Sequence, residues 1–256
     1  NLMFVGTEFG LYFTIDGGDS WTRWTNGYPT VSTYDMVIHP REHDLVIGTF
    51  GRSFWVLDDI RPLRELAAEG LDELDKAIKA FDSPDAYLAN WRQAMGSRFA
   101  ADAMYSGDNR PRGAMITYSV NKELSQKSEK SDAPAASGRS WGRRGSDEEK
   151  VKVAIFNESG EHIRNFEVTP DHNGVNRMQW GLERKGMERP SRRAARPNMP
   201  EPRGGDVLPG TYKVVMSYAG SKDSTMVTVH YDPRIEITME ALEATAALED
   251  AAGALG

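Results

Sequence analysis

Short runs of alternating apolar and polar residues, separated by turn-forming residues, fill the first 60 positions of the chain. Residues 2–5 and 11–15 flank a turn-forming stretch at 6–10, which is typical of a β-hairpin. Three further runs follow at 34–38, 45–47 and 54–57. None of these runs has the helical period, so the pattern predicts antiparallel β structure from residue 1 to about residue 60.

This opening segment contains an internal repeat. Its aligned positions each lie 42 residues apart: 5–7 with 47–49, Tyr12 with Phe54, and Asp16 with Asp58. A repeat of roughly 40 to 50 residues is typical of one blade of a β-propeller, which closes with about four to eight blades. The sequence therefore predicts blade material over residues 1–60, in the downstream part of a larger protein whose remaining blades are its partners.

The pattern changes to a helical one after Asp59. Apolar residues recur at three- and four-residue steps from Leu63 to Phe81, which predicts an amphipathic helix interrupted at Gly70. Asp59 is a suitable N-cap, and Pro62 is tolerated in a first helical turn. Residues 82–110 show no clear period, so we interpret 61–110 as a helical and irregular linker.

A second β region follows and predicts an immunoglobulin-like β-sandwich over residues 111–231. Its short apolar runs are separated by turn residues and lie at 114–120, 151–156, 163–168, 176–180, 210–218 and 224–231. Two polar stretches, near 121–149 and 183–206, are predicted to be mobile insertions. Thr238 is a suitable N-cap for a helix that begins within 232–256, and the fold class is mainly β.

Composition narrows the classes of function. The chain has 256 residues, no cysteine and a net charge of -7, which argues against a disulfide scaffold, a thiolate metal site and a general nucleic-acid binder. No apolar run approaches the roughly 20 residues of a membrane span. The sequence holds no convincing phosphate-binding loop or dinucleotide fingerprint, so we expect no cofactor.

Residues 14–21 carry the most specific motif in the chain. They match the Asp-box, Ser/Thr-x-Asp-x-Gly-x-x-Trp, through Thr14, Asp16, Gly18 and Trp21. Together with the repeated strand pattern, this motif resembles the sortilin-like BNR-repeat propellers of exported bacterial proteins, a group often labelled glycosyl hydrolases. The resemblance implies an extracytoplasmic location and leaves the activity open, since Asp-boxes recur across unrelated activities.

The downstream region resembles a second known domain. Trp180 and the stretch 208–212 are similar to the flagellar-hook-cap type of Ig-like domain, and 113–118 is similar to its opening strand. Within the Asp-box we expect Asp16 to accept hydrogen bonds from its own turn and Gly18 to adopt a positive φ. Trp21 is expected to cover the hairpin, so the box is interpreted as structural.

Three further patterns suggest chemistry that the residues do not support. The stretch from His39 to His43 spells a zinc-peptidase motif, but Pro40 and the flanking strands predict a loop, so no metal site is expected. Asp58 and Asp59 could form a carboxylate pair, but neighbouring strand residues point to opposite faces. The arginine-rich loops are interpreted as solvated; they contain Arg139, Arg143, Arg144, Arg184, Arg189, Arg192, Arg193, Arg196 and Arg203.

Arg52 is the candidate ligand-binding residue, because it follows Gly51 in a turn where it can meet an anionic or sugar ligand. No catalytic residue is assigned within this chain. The leading hypothesis is a non-catalytic portion of a larger exported protein, acting in glycan or protein binding and scaffolding. Two alternatives stay open: the accessory end of a sialidase-like glycoside hydrolase or peptidase whose active site lies in upstream blades, and a subunit of a cell-surface assembly.

Overall fold

The computed structural model describes residues 1–89, 110–129, 149–187 and 201–254. Within these residues the protein is mainly β, with sixteen strands, three α-helices and one short 3₁₀ helix. The strands form two groups of sheets, one before Asp58 and one after Lys76.

The first group consists of two three-stranded antiparallel sheets, which we call sheet 1 and sheet 2 and together the first β unit. Sheet 1 has the strand order β1-β2-β3, and sheet 2 has the order β4-β5-β6. The strands are β1 Met3–Thr7, β2 Gly10–Thr14, β3 Thr22–Arg23, β4 Thr33–Ile38, β5 Leu45–Thr49 and β6 Phe54–Leu57.

The two hairpins β1-β2 and β5-β6 are equivalent in their pairing. Gly6 pairs with Leu11 in the first hairpin, and Gly48 pairs with Phe54 in the second. Gly6 and Gly48 are 42 residues apart, but Leu11 and Phe54 are 43 apart, since the second turn holds one more residue. The sequence alignment of Tyr12 with Phe54 was therefore wrong by one position.

Sheets 1 and 2 pack against each other over a shared apolar core. Leu11 of sheet 1 meets Leu45 and Ile47 of sheet 2 there, and all three are almost completely buried. The sheets approach closely at Gly6, where an added Cβ would lie 2.6 Å from Cγ2 of Thr33. Glycine at this position lets strand β4 lie directly against β1.

Helix α1, Arg61–Glu69, follows the first β unit and ends at Gly70, where the sequence predicted an interruption. The predicted continuation of the helix to Phe81 was wrong, because residues 78–80 form a strand. Gly70 adopts a φ of 105° and donates from its backbone nitrogen to the carbonyl of Leu66, which closes the last turn. A 3₁₀ helix, Leu71–Asp75, continues from there. The N-cap is Ile60 and not Asp59, although Asp59 Oδ1 accepts the backbone N–H of Arg61 at 3.3 Å.

The second group of strands, the second β unit, contains a five-stranded and a three-stranded sheet and a short hairpin. Sheet 3 has the order β11-β10-β15-β16-β8, sheet 4 has the order β12-β9-β7, and β13 pairs with β14. The strands are β7 Ile78–Ala80, β8 Ala86–Leu88, β9 Ala114–Val120, β10 Val151–Phe156, β11 His162–Val168, β12 Gly174–Trp180, β13 Glu183–Lys185, β14 Arg203–Asp206, β15 Gly210–Tyr218 and β16 Ser221–Tyr231.

Sheets 3 and 4 share one hydrophobic core. All seven residues of β9 are buried, which identifies it as the central strand of sheet 4. The Trp180 ring packs edge-on against Tyr212 with 5.4 Å between the ring centroids. Tyr212 donates its hydroxyl to the carbonyl oxygen of Leu208 at 2.6 Å, and burial raises the pKa of this tyrosine to about 12.

The predicted linker over 61–110 contributes strands to this unit. Strand β7 pairs with β9, and β8 pairs with β16 in parallel, so the pairing of the second β unit begins at Ile78. Both strands are only three residues long, which is too short for a periodic signal. Residues 90–109 lie outside the described residues.

The two predicted insertions also contain regular structure. Helix α2, Lys122–Glu129, occupies the start of the first, and strands β13 and β14 form a hairpin from the two ends of the second. Residues 130–148 and 188–200 lie outside the described residues. Helix α3, Met239–Ala254, begins after Thr238, whose Oγ1 accepts the backbone N–H of Ala241 as an N-cap would.

Candidate functional site: the Arg52 tip

Arg52 lies at the apex of a tightly bonded turn between β5 and β6. The backbone nitrogen and Oγ1 of Thr49 both donate to the carbonyl of Ser53, at 3.2 and 2.6 Å. Gly51 and Ser53 adopt φ values of 78° and 60°, and the indole nitrogen of Trp55 donates to the Arg52 carbonyl at 3.1 Å. These bonds fix the backbone that carries Arg52.

Two exposed aromatic residues flank this turn. Phe50 and Tyr34 stack with 5.7 Å between their ring centroids, and they are 71% and 74% exposed. Tyr34 lies at a β-bulge, because the pairing of β4 with β5 skips from Thr33 to Asp35. A bulge re-aims a side chain, which places Tyr34 beside Phe50. We call Tyr34 together with residues 49–53 the Arg52 tip.

The Arg52 side chain is exposed, and no described residue forms a hydrogen bond or ion pair with its guanidinium. An exposed guanidinium offers five donors in a planar fork that matches carboxylate and sulfate groups. Exposed aromatic rings offer apolar surface at a small cost in side-chain entropy. The tip can therefore hold a ligand that presents both polar groups and an apolar face.

The Asp16 carboxylate organises its own turn. Oδ1 accepts the backbone N–H groups of Gly18 and Ser20 at 3.3 and 3.0 Å, and it also accepts the hydroxyl of Thr14. Hydrogen bonds from Ser20 and Thr14 hold the pKa of Asp16 well below its ordinary value. Gly18 has a φ of 109°, and the exposed Trp21 ring lies against it. This geometry favours a structural role for the four motif residues.

Asp58 and Asp59 lie at the junction between the two β units. Arg177 of β12 donates from Nη2 to the carbonyl oxygens of Asp58 and Asp59, at 2.5 and 2.9 Å. Asp59 Oδ1 accepts Nε of Arg61 at 2.6 Å, and the Asp59 side chain is fully buried. Burial, with the nearby charge of Asp44, raises the pKa of Asp58 above its ordinary value. Asp59 is buried and Asp58 is half-buried, so both carboxylates belong to the junction between the two β units.

His39 and His43 lie in the turn between β4 and β5 and not on a helix. His39 Nδ1 accepts the backbone N–H of Glu42, and His43 Nδ1 lies 2.8 Å from Nη1 of Arg64. Burial and the charges of Arg61 and Arg64 lower the pKa of His43. The described residues contain no group of three or more His, Asp or Glu that could hold a metal ion.

The arginine-rich loops are only partly described. Arg184 was predicted to lie in a solvated loop, but it lies in β13 and donates to three acceptors on α3: Asp250, Glu249 and the carbonyl of Ala246. Arg203 is exposed and lies 3.3 Å from Glu183. The other arginines predicted to lie in solvated loops, from Arg139 to Arg144 and from Arg189 to Arg196, are outside the described residues. Across the described part of the chain, no helix is long and apolar enough to cross a membrane.

Sequence reasoning proposed Arg52 as a candidate but missed the aromatic residue Tyr34 beside it. Tyr34 reads as an ordinary strand residue, and only the bulge brings it to Phe50. Arg177 was missed as well, since its partners lie 118 and 119 residues earlier in the chain. The sequence did contain one signal for the Arg52 tip: an aromatic residue, Tyr34, at a strand position that faces solvent, together with an arginine in a nearby turn.

The comparisons with known proteins returned no match, whether by family models, among curated proteins or among solved structures. The site is therefore interpreted from its own geometry.

Proposed function

We propose that this chain is a non-catalytic binding and scaffolding portion of an exported BNR-repeat propeller protein, and that the Arg52 tip contacts a glycan or protein ligand. The observation that carries the binding role is the arrangement of the tip. A turn fixed by bonds at Thr49 and Trp55 presents an exposed guanidinium beside two stacked, exposed rings. Exposed aromatic surface of this kind is typical of interaction sites.

Three features support the finer fold in this proposal. The two hairpins of the first β unit repeat one pairing pattern at the spacing of propeller blades. In the second β unit, Tyr212 bonds back to the carbonyl of Leu208, in the manner of the tyrosine corner of Ig-like sandwiches. Buried Trp180 packs on that tyrosine. The exported location rests on the resemblance of the Asp-box region alone.

The contacts of the Asp16 and Asp59 carboxylates favour binding over hydrolysis. Asp16 is engaged in its own turn, and Asp59 is buried beside Arg61. A glycosidase needs two carboxyl groups that flank one bond, with about 5 to 10 Å between them. In the hydrolase alternative, such a pair would come from other parts of the parent protein.

The experiment is binding of labelled protein to an array of neutral, carboxylated and sulfated glycans, with a parallel array of extended peptides. We expect Arg52→Ala and Tyr34→Ala each to weaken the strongest signal at least about tenfold, or about 1.4 kcal/mol. Arg41→Ala is the matched control, because Arg41 is an exposed arginine in the turn at the other end of β5. Binding that both tip variants leave unchanged would remove the tip from the proposal.

A further inference from the structure

The turn between β4 and β5 carries two histidines that the proposed binding role does not use. It spans residues 39–44, and the backbone nitrogen of His39 donates to the carbonyl of Asp44 at 2.8 Å. His43 adopts a φ of 59°, a left-handed conformation that is uncommon for residues other than glycine. We call residues 39–44 the histidine turn.

Both imidazole rings of the histidine turn accept a hydrogen bond through Nδ1. His39 Nδ1 accepts the backbone N–H of Glu42 at 3.1 Å. His43 Nδ1 lies 2.8 Å from Nη1 of Arg64, and a guanidinium can only donate, so the ring nitrogen is the acceptor. A ring nitrogen accepts only while it carries no proton, so both contacts require neutral rings with the proton on Nε2.

A second proton on either ring removes the contact that this ring makes. Protonation turns Nδ1 from an acceptor into a donor. At His39 this leaves the backbone N–H of Glu42 without its acceptor. At His43 it sets two donors and two positive charges against each other, since the partner is the guanidinium of Arg64.

The surroundings of His43 also oppose its protonation. Burial disfavours the charged ring, and so do the guanidinium groups of Arg61 and Arg64 on α1, whereas the carboxylates of Asp44 and Asp59 favour it. The net effect lowers the pKa of His43 below the ordinary histidine value of about 6.5. The stability that the neutral ring contributes is therefore present above pH 6.5 or so, and it is lost as pH falls from there toward the lowered pKa.

The histidine turn lies where the first β unit meets helix α1. The carbonyl of His43 accepts the backbone N–H of Ile60, the N-cap residue of α1, at 3.0 Å. Arg64, the partner of the His43 ring, lies in the first turns of the same helix. Near the other end of α1, Glu69 pairs with Lys79 of the second β unit at 2.5 Å. His43 thus belongs to the contacts through which the first β unit holds a helix that is also attached to the second.

We propose that the histidine turn is an acid-sensitive link: protonation of His39 and His43 breaks both ring contacts and loosens the first β unit from α1. The proposal goes beyond the binding role and involves no residue of the Arg52 tip. Its consequence is that acid changes how firmly the first β unit, which carries the tip, is held by the rest of the chain.

Amide hydrogen exchange in the full chain tests this proposal at about pH 7.5 and about pH 5, on either side of the ordinary histidine pKa. Protection factors, corrected for the intrinsic pH dependence of exchange, are compared at the amides of Glu42 and Ile60. We expect both factors to fall at least about tenfold at the lower pH, because each amide donates to one of the two histidines. Nitrogen chemical shifts of the rings at the higher pH should show the Nε2–H tautomer for both.

Asparagine variants keep the acceptor but remove the titration. In His43→Asn the new residue tolerates a positive φ, and its amide oxygen can accept from Arg64 at either pH. His39→Asn likewise offers an oxygen to the N–H of Glu42. The double variant should keep both protection factors constant between the two pH values. His172→Asn, at an exposed position far from the histidine turn, is the matched control and should lose protection as the parent chain does.

Three results would overturn the proposal. The first is equal protection of Glu42 and Ile60 at the two pH values in the parent chain. The second is a fall in the double variant as large as that in the parent chain, and the third is an Nδ1–H tautomer in both rings at the higher pH. None of them affects the glycan and peptide measurements on Arg52→Ala at neutral pH, so the two proposals fail separately.

Discussion

Arg177 of the second β unit donates to the backbone carbonyl of Asp59 at the end of the first, across 118 residues of sequence. The same Nη2 reaches the carbonyl of Asp58, and Nε donates to Oγ1 of Thr117. Burial lowers the pKa of Arg177, against the nearby charge of Asp59. One arginine side chain of the second β unit thus donates to two carbonyl groups of the first.

Loss of this contact should weaken the coupling between the β units. Arg177→Ala leaves the carbonyls of Asp58 and Asp59 without their donor, and we expect a loss of about 1 to 3 kcal/mol in the free energy of unfolding. Urea denaturation followed by tryptophan fluorescence measures it, and a separation into two transitions is expected. Arg112→Ala, which breaks an exposed pair with Asp206, should cost less than about 1 kcal/mol. Equal losses in both variants would contradict this role.

The raised pKa of Asp58 predicts the direction in which the stability of the protein changes with pH. A carboxyl whose pKa is raised on folding is costly when ionised, so it destabilises the protein above the raised pKa. That cost disappears as pH falls toward the ordinary aspartate value of about 4. Asp58→Asn should therefore be more stable than the parent chain at pH 7, with a difference that shrinks as pH approaches 4. Chemical denaturation at several pH values measures the difference, and Asp19→Asn is the exposed control.

The two repeat glycines should differ in their tolerance of alanine. Gly6→Ala places a Cβ against Thr33, and overpacking of this kind costs about 1 to 3 kcal/mol. Gly48→Ala meets ordinary contact distances, and a lower entropy of the unfolded chain should leave its stability within about 1 kcal/mol or slightly raised. Denaturation midpoints at low protein concentration compare the variants. A Gly48→Ala loss as large as that of Gly6→Ala would contradict the difference in available space between the two positions.

Local features of the fold were predictable because they depend on neighbouring residues. The alternation along residues 54–57 matches the burial of β6, where Trp55 and Leu57 face the core. The end of α1 at Gly70 and the start of α3 after Thr238 follow from the backbone freedom of glycine and the capping ability of threonine.

Non-local features could not be read from the sequence in the same way. Strands β7 and β8 depend on pairing with β9 and β16, which lie far away in the sequence. With three residues each, they are too short to show an alternating pattern of their own. The same holds for the tip: a turn arginine is visible in the sequence, but the bulge that brings Tyr34 to Phe50 depends on the register between β4 and β5. Register is set by packing of the whole sheet.

Asp16 and Asp19 lie in one turn, and their replacement should have different effects on hydrogen exchange at the backbone amides of that turn. Asp16 accepts the backbone N–H groups of Gly18 and Ser20, so Asp16→Ala should speed hydrogen exchange at both amides at pH 7. Asp19→Ala is the matched control and should leave their exchange unchanged. Because the pKa of Asp16 is lowered on folding, its stabilising effect is present above the ordinary aspartate pKa and fades as pH falls through the lower, folded-state value. The stability gap between the parent chain and Asp16→Ala should therefore narrow in strong acid, and a gap that widens there would contradict the bonding seen at this turn.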